Sequence, residues 1–160
     1  MKELAYREFV KEDFEDVMAL DIRPIELREG QASTGEEPLE LLALSISRSR
    51  YLWVITYMEK ICGVFGLHIF EENGVKYGSP WMLSNDLPFA SYSNQGLFLR
   101  TSKQLVQFMK SKVDLLMNIV SLENKESCRW LRWLGFTFVE SQSYTFDRDP
   151  GLHFVWFRMR

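Results

Sequence analysis

The clearest hydrophobic pattern of the chain lies between Leu115 and Phe138. Residues 115–122 are a mostly apolar run of strand length, and the polar residues 123–126 end it. Apolar residues then recur at the three-to-four spacing of one helical face, at Cys128, Leu131 and Leu134. Gly135 follows directly as a helix stop, and apolar and polar residues alternate after it. The stretch predicts a buried strand, a short helix and a further strand.

Three consecutive strands are predicted in the middle of the chain. Residues 52–58 and 61–70 carry strand-like apolar patterns on either side of a turn at residues 59–60. The dipeptide Asn73-Gly74 is a hairpin signal, and a third strand runs from Val75 to about Leu83. Together these segments predict an antiparallel meander.

Helical spacing accounts for much of the remaining chain. The predicted helices begin at Asp13 as an N-cap, cover residues 24–30, run from Pro38 to about Arg50, and cover residues 95–112 as the longest one. Residues 31–37 and 85–94 are rich in small polar residues and are predicted to be loops.

The two ends of the chain are predicted to add strands. Residues 4–9 open the chain in a strand-like pattern, a short strand lies around Tyr144, and residues 152–159 form a terminal strand. Three antiparallel strands followed by helix, strand, helix and strand are typical of an α+β fold rather than a doubly wound one. At 160 residues, we expect one domain covering residues 1–160.

Two segments carry a resemblance to a known family. The segment from Asn124 to Phe136 reads N-x-x-S-x-x-W-L-x-x-L-G-F, which resembles the closing motif of the GNAT acyltransferases. The segment from Trp81 to Asp86 is similar to a strand end in small GNAT-like proteins of short-tailed phages, some of them grouped with the internal virion proteins. The resemblance implies the GNAT fold. That fold has a mostly antiparallel sheet of six to seven strands, a parallel V-shaped splay between strands 4 and 5, and about four flanking helices.

The resemblance also implies a site for acetyl-CoA as acyl donor. In the family, N–H groups at the start of the helix after the fourth strand hold the pyrophosphate, because that helix end is positive. The family signature there is Arg/Gln-x-x-Gly-x-Gly/Ala, whereas residues 91–100 have one glycine and no full match. An ordinary capped helix with a solvated basic face remains the alternative. The candidate cofactor-binding residues are Met82, Leu83 and Ser84 at the thioester, Ser93, Asn94, Gln95, Gly96, Arg100 and Lys103 at the phosphates, and Asn124 at the pantetheine arm.

Acyl transfer to an amine also needs a base and an acid. Many GNAT enzymes supply the acid from a Tyr seven residues after the Asn of the closing motif, and Leu131 stands there. The candidate bases are Asp86 and His68, and Tyr92 is a candidate replacement for the acid. Asp86 is otherwise a loop carboxylate and His68 a hydrogen-bonded structural histidine. Whether the protein is an enzyme therefore stays open at this point.

Charge is uneven along a chain whose formal net charge is -3. Residues 1–48 are acidic, and the rest carries a small basic excess that suits an anionic cofactor but is too small for nucleic acid. The acidic residues after the first helix form either a solvated surface or a wall that attracts a cationic amine; they are Glu26, Glu29, Glu36, Glu37 and Glu40.

Cysteine, histidine and hydropathy patterns exclude several other classes. Cys62 and Cys128 each lie in an apolar pattern and are expected to be buried, reduced thiols. His68 and His153 stand alone, so no metal site is predicted. There is no signal-peptide pattern and no apolar run long enough to span a membrane, so we expect a soluble, cytoplasmic protein.

Two functions follow from the resemblance. The first is transfer of an acetyl group from acetyl-CoA to a small-molecule or protein amine, by direct attack in a ternary complex. The second is a non-catalytic GNAT-fold phage protein that acts in virion assembly or binds a host protein. In that case the protein would work in the host cytoplasm or in the virion.

Overall fold

The computed structural model describes residues 3–160. The strands are β1 Leu4–Glu8, β2 Tyr51–Tyr57, β3 Lys60–Glu72, β4 Val75–Ser84, β5 Leu115–Ser121, β6 Thr137–Phe138, β7 Tyr144–Phe146 and β8 Asp149–Met159. The helices are α1 Phe14–Met18, α2 Pro24–Thr34, α3 Pro38–Arg48, α4 Tyr92–Lys110 and α5 Lys125–Leu134.

One sheet contains all eight strands. Its order is β1-β2-β3-β4-β5-β8-β6, with β7 paired to β8. Every pairing is antiparallel except that of β4 with β5, which is parallel and holds only two residue pairs, Tyr77 with Leu115 and Gly78 with Leu116. Beyond Gly78 the two strands separate. The predicted α+β fold with a parallel splay between strands 4 and 5 is confirmed. The described residues form eight strands and five helices, whereas six to seven strands and about four helices were expected.

Helices cover both faces of the sheet, because alternate side chains of each strand point to opposite faces. On one face Phe65 packs with Phe98 of α4 and Leu131 of α5. On the other face Val64 belongs to a second cluster with Leu42 of α3 and with α1. The helix α2 covers the β8 side of that second face, where a third cluster joins Ala32, Leu152 and Phe154.

Helix α2 is longer than predicted, so the expected loop at residues 31–37 is wrong over its first four residues. Ala32 is buried against β8, and this packing outweighs the polar composition of the segment. The Thr34 hydroxyl donates to the Gly30 carbonyl at 2.7 Å. The helix ends at Gly35, whose φ of 74° is left-handed.

Two element boundaries and one loop also differ from the sequence prediction. Helix α4 begins at Tyr92 rather than residue 95, because the Ser91 hydroxyl caps it by accepting the Asn94 N–H at 3.1 Å. The expected loop before it contains a short turn at Leu87–Phe89. The terminal strand begins at Asp149, three residues early.

Asp13 does not cap the first helix in the way predicted. Its carboxylate accepts the Val10 N–H at 2.8 Å and pairs with Arg7 at 2.8 Å. It makes no side-chain hydrogen bond to the start of α1. Asp13 therefore joins the opening strand to the turn that follows it.

The point where β4 and β5 separate gives a first prediction. The Asn118 side-chain amide donates to the Pro80 carbonyl at 2.8 Å and replaces a hydrogen bond that the sheet lacks there. We expect Asn118→Ala to lower the free energy of unfolding by about 1 kcal/mol, as loss of one such bond does. Urea denaturation measures this, with exposed Gln107→Ala on α4 as the amide control. Equal stability of the two variants would show that the bond contributes nothing.

Candidate functional site

The strand separation opens a cleft of about 300 Å³ in the middle of the molecule. Met82 and Leu83 line it from β4, and Ile119 and Val120 from β5. Side chains of α4 and α5 close it on one face of the sheet, and side chains of α2 and α3 on the other. The cleft therefore reaches both helical layers, and its volume is at the lower end of the range for small-molecule sites.

Backbone polar groups of β4 face this cleft because they no longer have a strand partner. The Pro80 carbonyl is bonded by Asn118, and the Ser84 N–H by Glu26, which shows that even-numbered residues of β4 point toward β5. Backbone groups alternate along a strand, so the Met82 N–H points the same way. Among the described residues it has no hydrogen-bond partner on the β5 side. It is a free donor on the wall of the cleft.

Glu26 enters the cleft from α2. It is 5% exposed, and its Oε2 accepts the Ser84 N–H at 3.4 Å. Its Oε1 accepts no hydrogen bond from the described residues, and Arg23 Nη1 lies 3.8 Å away. Burial raises the pKa of Glu26 to about 8, against the lowering effects of Arg23 and the Ser84 N–H and with smaller raising effects of Glu29 and Asp86.

Glu29 lies one helical turn further along α2 and reaches the end of β5. Its Oε2 accepts the Ser121 N–H at 2.8 Å, and its Oε1 accepts the Asn124 side-chain amide at 2.8 Å. Burial raises the pKa of Glu29, although these hydrogen bonds act to lower it. The two carboxylates thus occupy the positions where β4 and β5 would have been paired.

In the sequence, Glu26 and Glu29 belong to the same acidic group as Glu36, Glu37 and Glu40. A solvated surface is wrong for Glu26 and Glu29, which line the cleft, whereas Glu37 and Glu40 are exposed. The sequence does contain a signal for Glu29. It falls on one helical face with three apolar residues, Ile22, Ile25 and Ala32, so a carboxylate lies in an apolar stripe.

Arg23 joins this end of the cleft to the opposite helical layer. Its Nη2 donates to Glu126 of α5 at 2.7 Å, and its guanidinium lies 4.6 Å from the centre of the Phe89 ring. Asp86 approaches it at 3.9 Å. The side chain is buried and its Nη1 has no hydrogen-bond partner among the described residues. It holds α2, α5 and the turn before α4 together.

The start of α4 offers groups that suit a phosphate. The N–H groups of Tyr92 and Ser93 make no hydrogen bond among the described residues, and the first turn contains no acid. The Arg100 guanidinium lies beside Gly96, because a Cβ added at Gly96 would be 3.8 Å from Arg100 Nη1. The residues present therefore fit an anion here, although Ser91 already occupies the Asn94 N–H.

A second cavity of about 580 Å³ lies between the first turns of α4 and α5. Tyr92, Gln95 and Arg129 line it. Trp130 lines both this cavity and the cleft. The Trp130 Nε1 donates to the Ser102 hydroxyl at 2.8 Å and connects the two helices.

The structure brings together only some of the predicted cofactor-binding residues. Met82, Leu83 and Asn124 line the cleft, and Ser84 lies at its end with its hydroxyl buried and unpaired among the described residues. The residues predicted to bind the phosphates lie on α4, outside the cleft. Ser93 is exposed, Asn94 is buried and donates to the Leu87 carbonyl, Gln95 donates to the Phe89 carbonyl, and Lys103 lies over the Trp133 ring.

None of the three predicted catalytic side chains lines the cleft. Asp86 is 91% exposed at its side chain, and Tyr92 is 93% exposed on the second cavity. His68 Nδ1 lies 3.0 Å from the Arg48 carbonyl, and its ring stacks on Phe70. Leu131 does line the cleft, where it can donate no proton.

The two thiols are protonated at neutral pH and are therefore poor nucleophiles. Cys62 and Cys128 are buried and unpaired with each other, as predicted, and burial raises their pKa values to about 12 and about 11. Within residues 3–160, no cluster of three or more His, Cys, Asp or Glu could hold a metal ion. In the same range, every helix is too short or too polar to cross a membrane.

No protein-family model and no curated protein sequence matches this chain. Solved structures do match. An aminoglycoside N(6')-acetyltransferase from Legionella pneumophila is 11% identical, with 99% of this chain and 92% of that chain covered and a TM-score of 0.69. A GCN5-related N-acetyltransferase from Kribbella flavida is 13% identical over 96% of both chains, with a TM-score of 0.67. A GNAT-family acetyltransferase from Bacillus anthracis is 13% identical over 98% and 94%, with a TM-score of 0.64.

These likenesses show the fold. The chain has the mixed α/β GNAT fold, with a mostly antiparallel sheet and a parallel splay between β4 and β5. The structural neighbours named above are acetyltransferases, and fold alone does not carry their activity to this chain.

Glu26 gives a prediction for stability. Because its folded-state pKa of about 8 exceeds the ordinary 4.5, its stabilising contribution is complete below pH 4.5 and is lost as pH rises through 8. We expect Glu26→Gln to be more stable than wild type at pH 8.5 by at least about 1 kcal/mol, since one pKa unit is about 1.4 kcal/mol. Thermal unfolding at pH 6 and 8.5 measures this, with exposed Glu37→Gln as control. If the melting temperatures of the wild type and of Glu26→Gln are both unchanged between pH 6 and 8.5, the raised pKa of Glu26 is refuted.

Proposed function

We propose that this protein is an acyl-CoA-dependent N-acyltransferase that moves an acetyl group from acetyl-CoA to an amine by direct attack within a ternary complex. The observation that carries the proposal is the cleft between β4 and β5. It combines a free backbone donor, the Met82 N–H, with a buried carboxylate, Glu26, and a half-buried one, Glu29. Acyl transfer to an amine needs both kinds of group in one water-poor place.

The acetyl-CoA substrate supplies the activated thioester, and three parts of the chain would hold it. The first turn of α4, with Arg100 beside Gly96, suits its phosphates. Asn124 lines the cleft and Trp130 lines both the cleft and the second cavity, and these two would contact the pantetheine arm. The Met82 N–H would bind the thioester oxygen, where negative charge develops during attack.

Glu26 is the proposed base. Its Oε1 is free of hydrogen bonds among the described residues, and its raised pKa lies near the working pH, as general bases require. It takes a proton from the ammonium group, the amine nitrogen bonds to the acyl carbon, and the carbon–sulfur bond breaks. As the amide forms, the nitrogen gives up its second proton to solvent, and the leaving thiolate takes a proton from solvent. Asp86 and His68 are weaker candidates because both lie outside the cleft, and Tyr92 stays a candidate acid on the second cavity.

The alternative is a non-catalytic binding protein, for virion assembly or for a host protein. Two observations favour it. Leu131 replaces the acid of the family motif, and Trp133 is 50% exposed on the α5 surface where a partner could pack. The phage resemblance is part of this alternative and stays a prediction. We place the protein in the cytoplasm, where acetyl-CoA is available, and for a phage protein in the host cytoplasm or the virion.

Binding of acetyl-CoA tests the proposal directly. Isothermal titration with acetyl-CoA, and with CoA for comparison, should give micromolar affinity. The double variant Arg100→Glu/Lys103→Glu should weaken binding by at least about tenfold, since it reverses two charges beside the phosphates. Lys110→Glu, at the far end of the same helix, is the matched control and should bind normally. If millimolar acetyl-CoA gives neither binding heat nor thermal stabilisation, the proposed acyltransferase activity is refuted.

The role of the Met82 N–H gives a separate prediction. Met82→Pro removes this donor, and the strand already accepts proline two residues earlier at Pro80. With an accepted amine, we expect kcat to fall by about a hundredfold or more, as loss of one such donor does elsewhere. Met82→Leu keeps the N–H and should stay within a few fold of wild type. Equal rates for a folded Met82→Pro variant would exclude the role.

A further inference from the structure

We infer that the cleft recognises a small amine with an apolar body, such as a phenylalkylamine, rather than a polycationic sugar or a peptide. This inference deepens the proposed function, since it names the acceptor class of the same site. It concerns amine binding, which can be measured without acetyl-CoA.

The charge of the lining is the first argument. Among the described residues, Glu26 and Glu29 are the only ionisable residues on the lining, and no Lys, Arg or His side chain lines the cleft. The carboxyl groups of the lining can therefore bind a cation, and the lining offers no positive side chain to an anion. Glu26 is nine-tenths buried with Oε1 free of hydrogen bonds, so it can accept one from an ammonium group without breaking another contact.

The apolar surface is the second argument. Aromatic rings and aliphatic chains make up most of the wall, among them Phe65, Trp81, Leu105, Phe136 and Phe154. The neutral polar side chains on it are Ser33, Thr34, Ser45, Ser102, Asn118, Asn124 and Ser127. An alkyl or aryl group would be stabilised there by leaving water. Further ammonium groups would lose their water and find no third carboxylate on the lining, at a cost in affinity.

The size of the cleft is the third argument. Its volume is about 300 Å³, and the acyl end of the donor must share it. An amine with a single ring fits wholly within that space, whereas an aminoglycoside or a peptide would place only part of itself there.

The surroundings of Glu26 add a measurable consequence. The ionisable groups near it are Glu29 on α2, Arg23 before α2 and Asp86 after β4, and Glu126 of α5 acts through Arg23. At pH 7 the Glu26 carboxyl is mostly protonated, because its pKa is about 8. A bound ammonium group favours the ionised form, so binding should release a proton to the buffer.

The experiment is isothermal titration of the free protein at pH 7 with 2-phenylethylamine, its neutral analogue 2-phenylethanol, spermidine and kanamycin. Titration in two buffers of different ionisation enthalpy counts the protons released. We expect 2-phenylethylamine to bind at least about tenfold more tightly than the other three and to release close to one proton. Kanamycin or spermidine binding as tightly would overturn the inference.

Variants assign the effect to the two carboxylates. Glu26→Gln keeps an acceptor for the Ser84 N–H and should abolish proton release, and Glu29→Gln should weaken amine binding by about tenfold. Glu37→Gln is the exposed control and should behave as wild type. Thermal unfolding confirms that each variant is folded. Unchanged amine binding in a folded Glu26→Gln/Glu29→Gln double variant would contradict the inference.

Failure of this inference and failure of the proposed function give different results. Amine binding without any acetyl-CoA binding would refute the transferase and leave the amine site in place. Acetyl-CoA binding with preference for kanamycin or spermidine would keep the transferase and refute the acceptor class.

Discussion

Separating two strands inside a sheet leaves backbone N–H and C=O groups without partners in a place that water reaches poorly. In this protein α2 resolves that problem with two carboxylates, Glu26 at the end of β4 and Glu29 at the end of β5. Asn118 does the same where the separation begins. The position of α2 and the burial that raises the pKa values of both carboxylates follow from this one constraint.

The same constraint gives the cleft its chemistry. The carboxylates that satisfy the strand ends are also the only ionisable groups on the wall among the described residues. Among the same residues the Met82 N–H, between Pro80 and Ser84 on β4, has no partner on the β5 side. A structural requirement of the sheet thus places an acceptor of protons and a donor of hydrogen bonds within one apolar cavity, which is the arrangement that acyl transfer to an amine needs.

Much of the fold follows from local pattern, because the strands of the meander and the α5 segment have strong periodicity and clear stops at Asn73-Gly74 and Gly135. The errors lie where tertiary contacts override composition, as in the extension of α2 by buried Ala32. The site was harder to predict. Glu26 and Glu29 are distant in sequence from Ser84 and Ser121, and only the folded sheet brings them together. His68 and Asp86 are residue types that can act as general bases, but both lie outside the cleft.

The central claim is that the splay between β4 and β5 is where acetyl-CoA binds. The most direct measurement is an NMR titration of 15N-labelled protein with acetyl-CoA, following backbone amide signals. The account predicts that the largest shifts fall on Met82, on Ser84 and Ser121 beside the carboxylates, and on the first turn of α4. Shifts confined to other surfaces, or none at millimolar acetyl-CoA, would contradict it.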